Sequence, residues 1–387
     1  MKGRCSNCCS AWRYSSTSIR SPSAAAAVSA RPQWSAALPV TALAPVARRL
    51  VGPAIVLTLL VLLVLIMVIP PLFRWAVLNA DWTATNRDAC PADGACWGII
   101  PNRFHQYMFG LYPVDQYWRL FLGGFLLLAG CVPLLLPQMP RKALYGVCFA
   151  IIYPIIASML FEGGWLVQPV VETPLWGGLF LTLLISIVGI VASFPIGIVL
   201  ALGRRSQMPA VKALCVSFIE LVRGVPLVTV LFMASVMLPL LMPETSAPDK
   251  MLRALGALIL FVAAYMAEAI RGGLAAVAAG QREAAASLGF GRHAYAWLIA
   301  LPQAMRAAIP ALTGIAIGTF KDTSLVTIVS LYELTGSLGL ALNSDADWRP
   351  FKIEGYLFIA SIYFIFCFSM SRYSVWIEKQ VNKGKAR

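Results

Sequence analysis

The chain has 387 residues, of which 59% are hydrophobic and only 12% charged, and its mean hydropathy is +0.76. Soluble domains carry roughly one charged residue in four, so a soluble globular protein is excluded. The net charge of +14 is spread between apolar runs and gathers into no basic domain, which excludes nucleic acid as a partner; two histidines, His105 and His293, leave little room for His-based catalysis or metal binding.

Residues 1–50 are rich in Ser, Ala and Arg, and no acid precedes Asp81. They read as a disordered cytoplasmic tail or as the product of a start codon set too early, with a transit peptide as the alternative. Cys5, Cys8 and Cys9 have no fourth ligand nearby, and no metal is expected there. Beyond the tail, uncharged windows of about 20 residues suit a hydrocarbon core of roughly 30 Å. They are continuous rather than alternating, which predicts helices and not a barrel. Eight spans are predicted, at 54–73, 119–138, 143–161, 176–202, 213–242, 254–271, an interrupted 305–332, and 354–375. The fold class is therefore all-α, a polytopic membrane helix bundle.

Eight crossings put both termini on one side, and the distribution of Lys and Arg selects the cytoplasm. The inner segments then hold most of the basic residues, with Glu283 and Glu378 as their acids, while the loops 74–119, 162–175, 243–253 and 333–354 hold most of the acids. The loop 74–118 faces out and contains CPADGAC, in which an oxidising exterior would permit a Cys90–Cys96 disulfide. Cys131, Cys148, Cys215 and Cys367 lie in spans and read as small core residues.

Spans five to seven carry charge, which concentrates function in the C-terminal half. Glu220 and Arg223, and likewise Glu268 and Arg271, stand three apart, so each pair falls on one helical face and can partly neutralise itself. An ionisable group at the centre of a membrane helix costs roughly 2.5–3.5 kcal/mol and is then usually functional. Gly224 and Pro226 would weaken the fifth span. In KDTSL, Lys321, Asp322, Thr323 and Ser324 interrupt the seventh span, and Asp322, Thr323 and Ser324 are N-cap types that would start a second half-helix. Such a break exposes backbone groups to a polar solute, and its positive end suits a carboxylate; Glu268 could meet an ammonium. The alternative is that Lys321 and Asp322 form a structural pair holding the break.

The segment 281–303, QREAAASLGFGRHAYAWLIALPQ, lies between spans six and seven. Glu283, Ala284, Ala285, Leu288 and Gly289 recur at spacings that can share one helical face. Small residues there would let another surface approach closely; an amphipathic helix resting on the membrane is the alternative. The pattern Glu283-Ala284-Ala285, three residues, Gly289, nine residues, Ile299, one residue, Leu301-Pro302 resembles the EAA loop of the permease subunits of binding-protein-dependent ABC importers. FIELVRGVPLVTVLF (218–232), with Val225 where Thr is usual, AYMAEAIRGGLAAVAAGQREAA (264–285), LPQAMRAAIP (301–310) and KDTSL (321–325) narrow the resemblance to the polar amino acid branch. Three extra spans and the long external loop make the chain most similar to the general L-amino-acid permease subunits.

That resemblance implies a type I importer permease core at 176–375, with a cytoplasmic coupling loop at 272–303. It also implies an addition of three spans at 51–165 with a periplasmic loop at 74–118, and a basic tail at 376–387. The implied partners are ABC ATPase subunits, a homologous permease subunit, a periplasmic amino-acid-binding protein and the lipid bilayer. The implied place is the bacterial inner membrane, and no cofactor is expected. Glu283, Ala284, Ala285 and Gly289 would couple to the ATPase; Arg223, Glu268, Lys321, Asp322, Thr323 and Ser324 would line the substrate path. There is no G-x-x-x-x-G-K-[ST] phosphate loop, so ATP hydrolysis is assigned to a partner and the chain is not an enzyme. The competing reading is an ion-gradient-driven secondary transporter of a small polar solute, with the membrane acids as ion sites. A membrane enzyme is disfavoured, because no His, Cys or carboxylate cluster in the spans has catalytic spacing.

Overall fold

The computed structural model describes residues 40–135, 141–164, 169–243 and 247–382. Cys5, Cys8 and Cys9, most of the N-terminal tail and the end of the basic C-terminal tail lie outside the described residues. Twelve main helices organise the described residues: α1 (Val40–Phe73), α2 (Ile99–Phe109), α3 (Tyr117–Leu135), α4 (Lys142–Glu162), α5 (Gly178–Arg204), α6 (Pro209–Gly224), α7 (Leu227–Leu240, through a π turn), α8 (Lys250–Ala275), α9 (Ala279–Ser287), α10 (Leu301–Asp322), α11 (Leu334–Ser344) and α12 (Lys352–Asn382). No strand forms among the described residues, only three isolated bridges.

Among the described residues seven helices are long and apolar enough to cross a membrane, or eight where the bent α6–α7 pair counts as one span. α1 belongs to a unit ending at Pro71, and Leu72–Arg387 form a second. In α1 every residue from 55 to 73 is exposed and most are Leu, Ile, Val or Met. A helix apolar on all sides suits lipid, where the backbone has satisfied its own hydrogen bonds.

The predicted span 213–242 is not one helix. α6 and α7 meet at 105°, with Val225 extended at φ −108°, ψ 136°. Pro226 excludes its predecessor from the helical region and supplies no N–H, so the chain must turn there.

α5 and α8 run parallel and close. A Cβ on Gly189 would come within 3.2 Å of Leu258, and one on Gly197 within 2.9 Å of Met266. Small residues at matched positions let two membrane helices pack on van der Waals contact alone. α10 runs antiparallel to α8, with Gly273 against the Ala304 carbonyl.

The seventh span departs from expectation. α10 continues unbroken to Asp322 and tightens into a 3₁₀ segment, Thr323–Val329, which Ser330 ends in the left-handed region at φ 59°. Asp322 makes no side-chain cap. The Thr323 hydroxyl donates back to the Phe320 carbonyl at 2.8 Å. A hydroxyl satisfied by the preceding turn cannot start a new helix, so no half-helix N-terminus forms at Lys321–Ser324. The capped start comes later, at Glu333.

The loop 74–118 is folded. Cys90 and Cys96 are disulfide-bonded, with Cα atoms 5.5 Å apart. The Asp81 carboxylate accepts from the Thr83 and Ala84 amides at 2.7 and 3.0 Å. Those bonds, Thr83's first, hold its pKa below the usual carboxylate value. Trp82 stacks on Trp97, ring centroids 5.4 Å apart. α2 packs on α5, α11 and α12, burying Tyr107 with Leu334, Leu338 and Ile359. Its end passes over the start of α5 at three glycines. Cβ atoms there would meet Gly177 Cα at 2.4 Å (from Gly110), the Tyr332 carbonyl at 2.7 Å (from Gly177) and the Tyr107 carbonyl at 2.4 Å (from Gly178). Backbone crossing backbone at this distance admits only glycine.

Candidate functional site

The EAA segment becomes α9. Its spacing has a local cause. Gly289 sits at φ +78°, its amide bonds the Ala286 carbonyl at 3.0 Å, and the Phe290 amide bonds the Ala285 carbonyl at 2.9 Å. This is a Schellman ending, in which the residue after the helix adopts a left-handed conformation. Gly289 is therefore required by the backbone, and a side chain there would meet nothing within 4 Å. Glu283, Ala284, Ala285, Leu288 and Gly289, predicted to share a face, do not do so. Ala285 is buried, whereas Glu283, two positions away and on the opposite side of the helix, is exposed, as are Ala284 and Leu288. α9 rests on the turn Tyr295–Ala300, and Gln303 donates to the Gln281 side chain at 3.3 Å. Apart from Ala285, its residues are exposed.

A Gly289→Ala variant should cost about 1–2 kcal/mol, the penalty of a left-handed L-residue. Hydrogen exchange at the Gly289 and Phe290 amides should speed up by about tenfold or more, and Gly289→Asn should do less harm.

On the α9 side of the bundle, α5, α6 and α8 bring five charges together. Glu268 accepts from Arg271 through two guanidinium nitrogens, Nε at 2.8 Å. Arg204 and Arg223 approach its other oxygen at 3.5 and 3.8 Å. Arg204 also bonds Glu220 at 3.0 Å, and the Arg223 guanidinium lies 5.5 Å above the Tyr265 ring. The predicted Glu268–Arg271 pair thus forms. The Glu220–Arg223 pair does not, because the end of α5 delivers Arg204 to Glu220 and leaves Arg223 to face α8. With three arginines around it, Glu268 is already neutralised and has no vacancy for an ammonium. Arg204 was not legible as a partner, since the sequence places it far from both acids.

Lys321, Asp322, Thr323 and Ser324 lie at the other end of α10. From the Gly273–Ala304 crossing, they are about 20 Å along the helix axis from the Glu268 cluster, at 1.5 Å per residue. The structure therefore divides the six predicted path residues into two groups. Thr323 is buried, Asp322 and Ser324 are half-buried and Lys321 is exposed. Asp322 has no ion pair or hydrogen bond among the described residues, so the predicted Lys321–Asp322 pair is absent. A half-buried carboxylate without a partner in a membrane helix is costly to keep, and such groups mark a solute path more often than a structural contact.

Just beyond stands a residue that the sequence reading left among loop acids. Glu333 is fully buried. Its carboxylate caps α11 by accepting from the Thr335 and Gly336 amides at 3.0 and 2.9 Å. It also accepts from the Thr327 hydroxyl and the Tyr363 hydroxyl, each at 2.9 Å. One side chain thus ties the 3₁₀ segment, α11 and α12. The only sequence signal was an acid before a helical run, which is a cap pattern.

Comparison with known proteins bears on this arrangement. The model of the family "Binding-protein-dependent transport system inner membrane component" matches residues 193–383. The chain is 50% identical to the inner membrane amino-acid ABC transporter permease protein YhdY of Escherichia coli (strain K12), over 82% of this chain and 86% of that one. The chain belongs to the family of binding-protein-dependent transport system inner membrane components. This inner membrane component is also 37% identical to the glutamate/glutamine/aspartate/asparagine transport system permease protein BztC of Rhodobacter capsulatus, over 79% of this chain and 86% of the relative. A solved structure described as an amino acid ABC transporter with histidines aligns at TM-score 0.48 and 28% identity, over 52% of this chain and 92% of that one. As an inner membrane component, the chain is a multi-pass transport subunit rather than an enzyme.

Proposed function

We propose that the chain is the permease subunit of an ATP-driven importer of polar L-amino acids. The half-identity to an amino-acid permease across four-fifths of the chain carries this reading. In it, residues 176–375 form the type I permease core and 51–165 an addition. Both termini face the cytoplasm, and α9 docks into a separate ATPase. A periplasmic binding protein delivers the substrate, and a homologous permease subunit completes the path. Asp322 takes the substrate ammonium in place of Glu268, because it alone of the two acids is unpaired. Lys321, Thr323 and Ser324 stand beside it. Arg223 and Glu268 instead hold the inner ends of α6 and α8 together. ATP must favour one state of the path over the other, and α9 transmits that difference.

The exposed face of α9 makes a direct test. Glu283→Arg reverses a charge on that face without touching a neighbour, so the permease should fold normally. Co-purification with its ATPase should fall by about tenfold or more, the effect of losing one good charged contact. Undiminished co-purification would remove Glu283 from the contact. Uptake into vesicles that persists without ATP but collapses with an uncoupler would replace the importer by a gradient-driven transporter.

A further inference from the structure

Between α3 and α4 on one side and α5 and α8 on the other lies a cavity of about 840 Å³. Its walls are apolar, with Leu127 from α3, Ala157 from α4, Val188 from α5 and Leu255 from α8. Ile155, Val170 and Leu252 line its open side and are each more than half exposed. The lining runs from Glu162 down to Tyr153 on α4, and along α5 to Val188. At 1.5 Å per residue the cavity reaches about 15 Å, half of a hydrocarbon core of about 30 Å. It is one leaflet deep.

Its mouth is acidic. Glu162, Glu172 and Asp249 surround it. Asp249 is already occupied by the Met251 amide and the Thr173 hydroxyl, each at 3.0 Å. The Glu162 and Glu172 carboxylates have neither an ion pair nor a hydrogen bond among the described residues.

We infer that this cavity binds one phospholipid of the leaflet opposite α9, its acyl part against the apolar walls and a primary ammonium headgroup at Glu162 and Glu172. Depth and polarity select a lipid. The sign of the mouth selects the headgroup. An ethanolamine ammonium donates N–H groups to two free carboxylates, a choline headgroup has no N–H to donate, and a glycerol headgroup leaves the lipid anionic and repelled. The lipid then fills the seam between the α3–α4 hairpin and α5–α8.

The full chain, purified in mild detergent, is incubated with equal amounts of phosphatidylethanolamine, phosphatidylcholine and phosphatidylglycerol, and bound lipid is read by native mass spectrometry. Phosphatidylethanolamine should be retained about tenfold over either competitor, the preference one charge-assisted hydrogen bond supplies. Glu162→Gln together with Glu172→Gln should abolish the preference. Both positions are exposed, so this variant should fold. A side chain on Gly124 would begin in open space at the cavity wall. Gly124→Leu should therefore lower retention of all three lipids, whereas Gly124→Ala should not. Equal retention of the three lipids by the unmodified chain overturns the proposal. So does undiminished retention in Gly124→Leu, or the cross-linking of a partner helix into the seam.

Discussion

Asp322→Asn is expected to lower amino acid uptake by about 10- to 100-fold while the permease still folds and assembles. A hydrogen bond to a charged group is worth about 1.5–3 kcal/mol, and each 1.4 kcal/mol is tenfold in a binding constant. Asn keeps the size and one carbonyl oxygen but cannot offer a negative charge to an ammonium. Since Asp322 makes no hydrogen bond or ion pair among the described residues, removing its charge breaks no such bond there. Labelled L-amino acid uptake into vesicles, set beside the yield and monodispersity of the purified variant, separates the two roles. Full uptake would remove Asp322 from the path, and loss of the folded protein would make it a structural group. Glu268→Gln is the contrasting case, because it leaves three arginines without their shared acid and should act on assembly.

Glu333→Ala should instead unfold the region around α11. Five donors lose an acceptor at once: the Thr335 and Gly336 amides and the Thr182, Thr327 and Tyr363 hydroxyls. Removing an N-cap alone costs about 0.5–2 kcal/mol, and each buried donor left unsatisfied about 1–3 kcal/mol. A total of about 3–5 kcal/mol is expected once local relaxation is allowed, comparable to breaking a buried ion pair. The melting temperature of the purified chain should fall by several degrees or more. Glu333→Gln should fall between wild type and Ala, since its carbonyl oxygen still accepts but its NH₂ faces donors. A wild-type melting temperature for Glu333→Ala would show that water replaces the carboxylate, and the anchor would be withdrawn.

These two acids show where reading along the chain succeeds and where it fails. Asp322 was legible because it interrupts an apolar run, and charge within such a run is conspicuous whatever surrounds it. Its proposed capping role was not, because Thr323 satisfies itself on the turn behind and the helix simply tightens. Glu333 is the reverse case. It sits beside Tyr332 and Thr335 in a stretch that resembles any polar loop, and the α2 segment that helps to bury this region comes from more than 200 residues earlier in the chain. Gly289 was selected as a motif position for close approach. The structure gives it a backbone reason, the left-handed step that ends α9.

The sequence by itself determined the polytopic helical class, the weak point at Gly224–Pro226 and the position of the EAA segment between two spans, and the resemblance of its motifs pointed to the family. Each follows from local chemistry: apolar length against bilayer thickness, a proline without an N–H, small residues at helical spacing. Only the tertiary structure decided which arginine meets which acid, that Glu268 is saturated and Asp322 is not, that Glu333 anchors three elements, and that the loop 74–118 folds onto α5, α11 and α12. Those outcomes depend on which helices become neighbours. A charge takes the partner that packing brings within about 4 Å, whatever its distance along the chain.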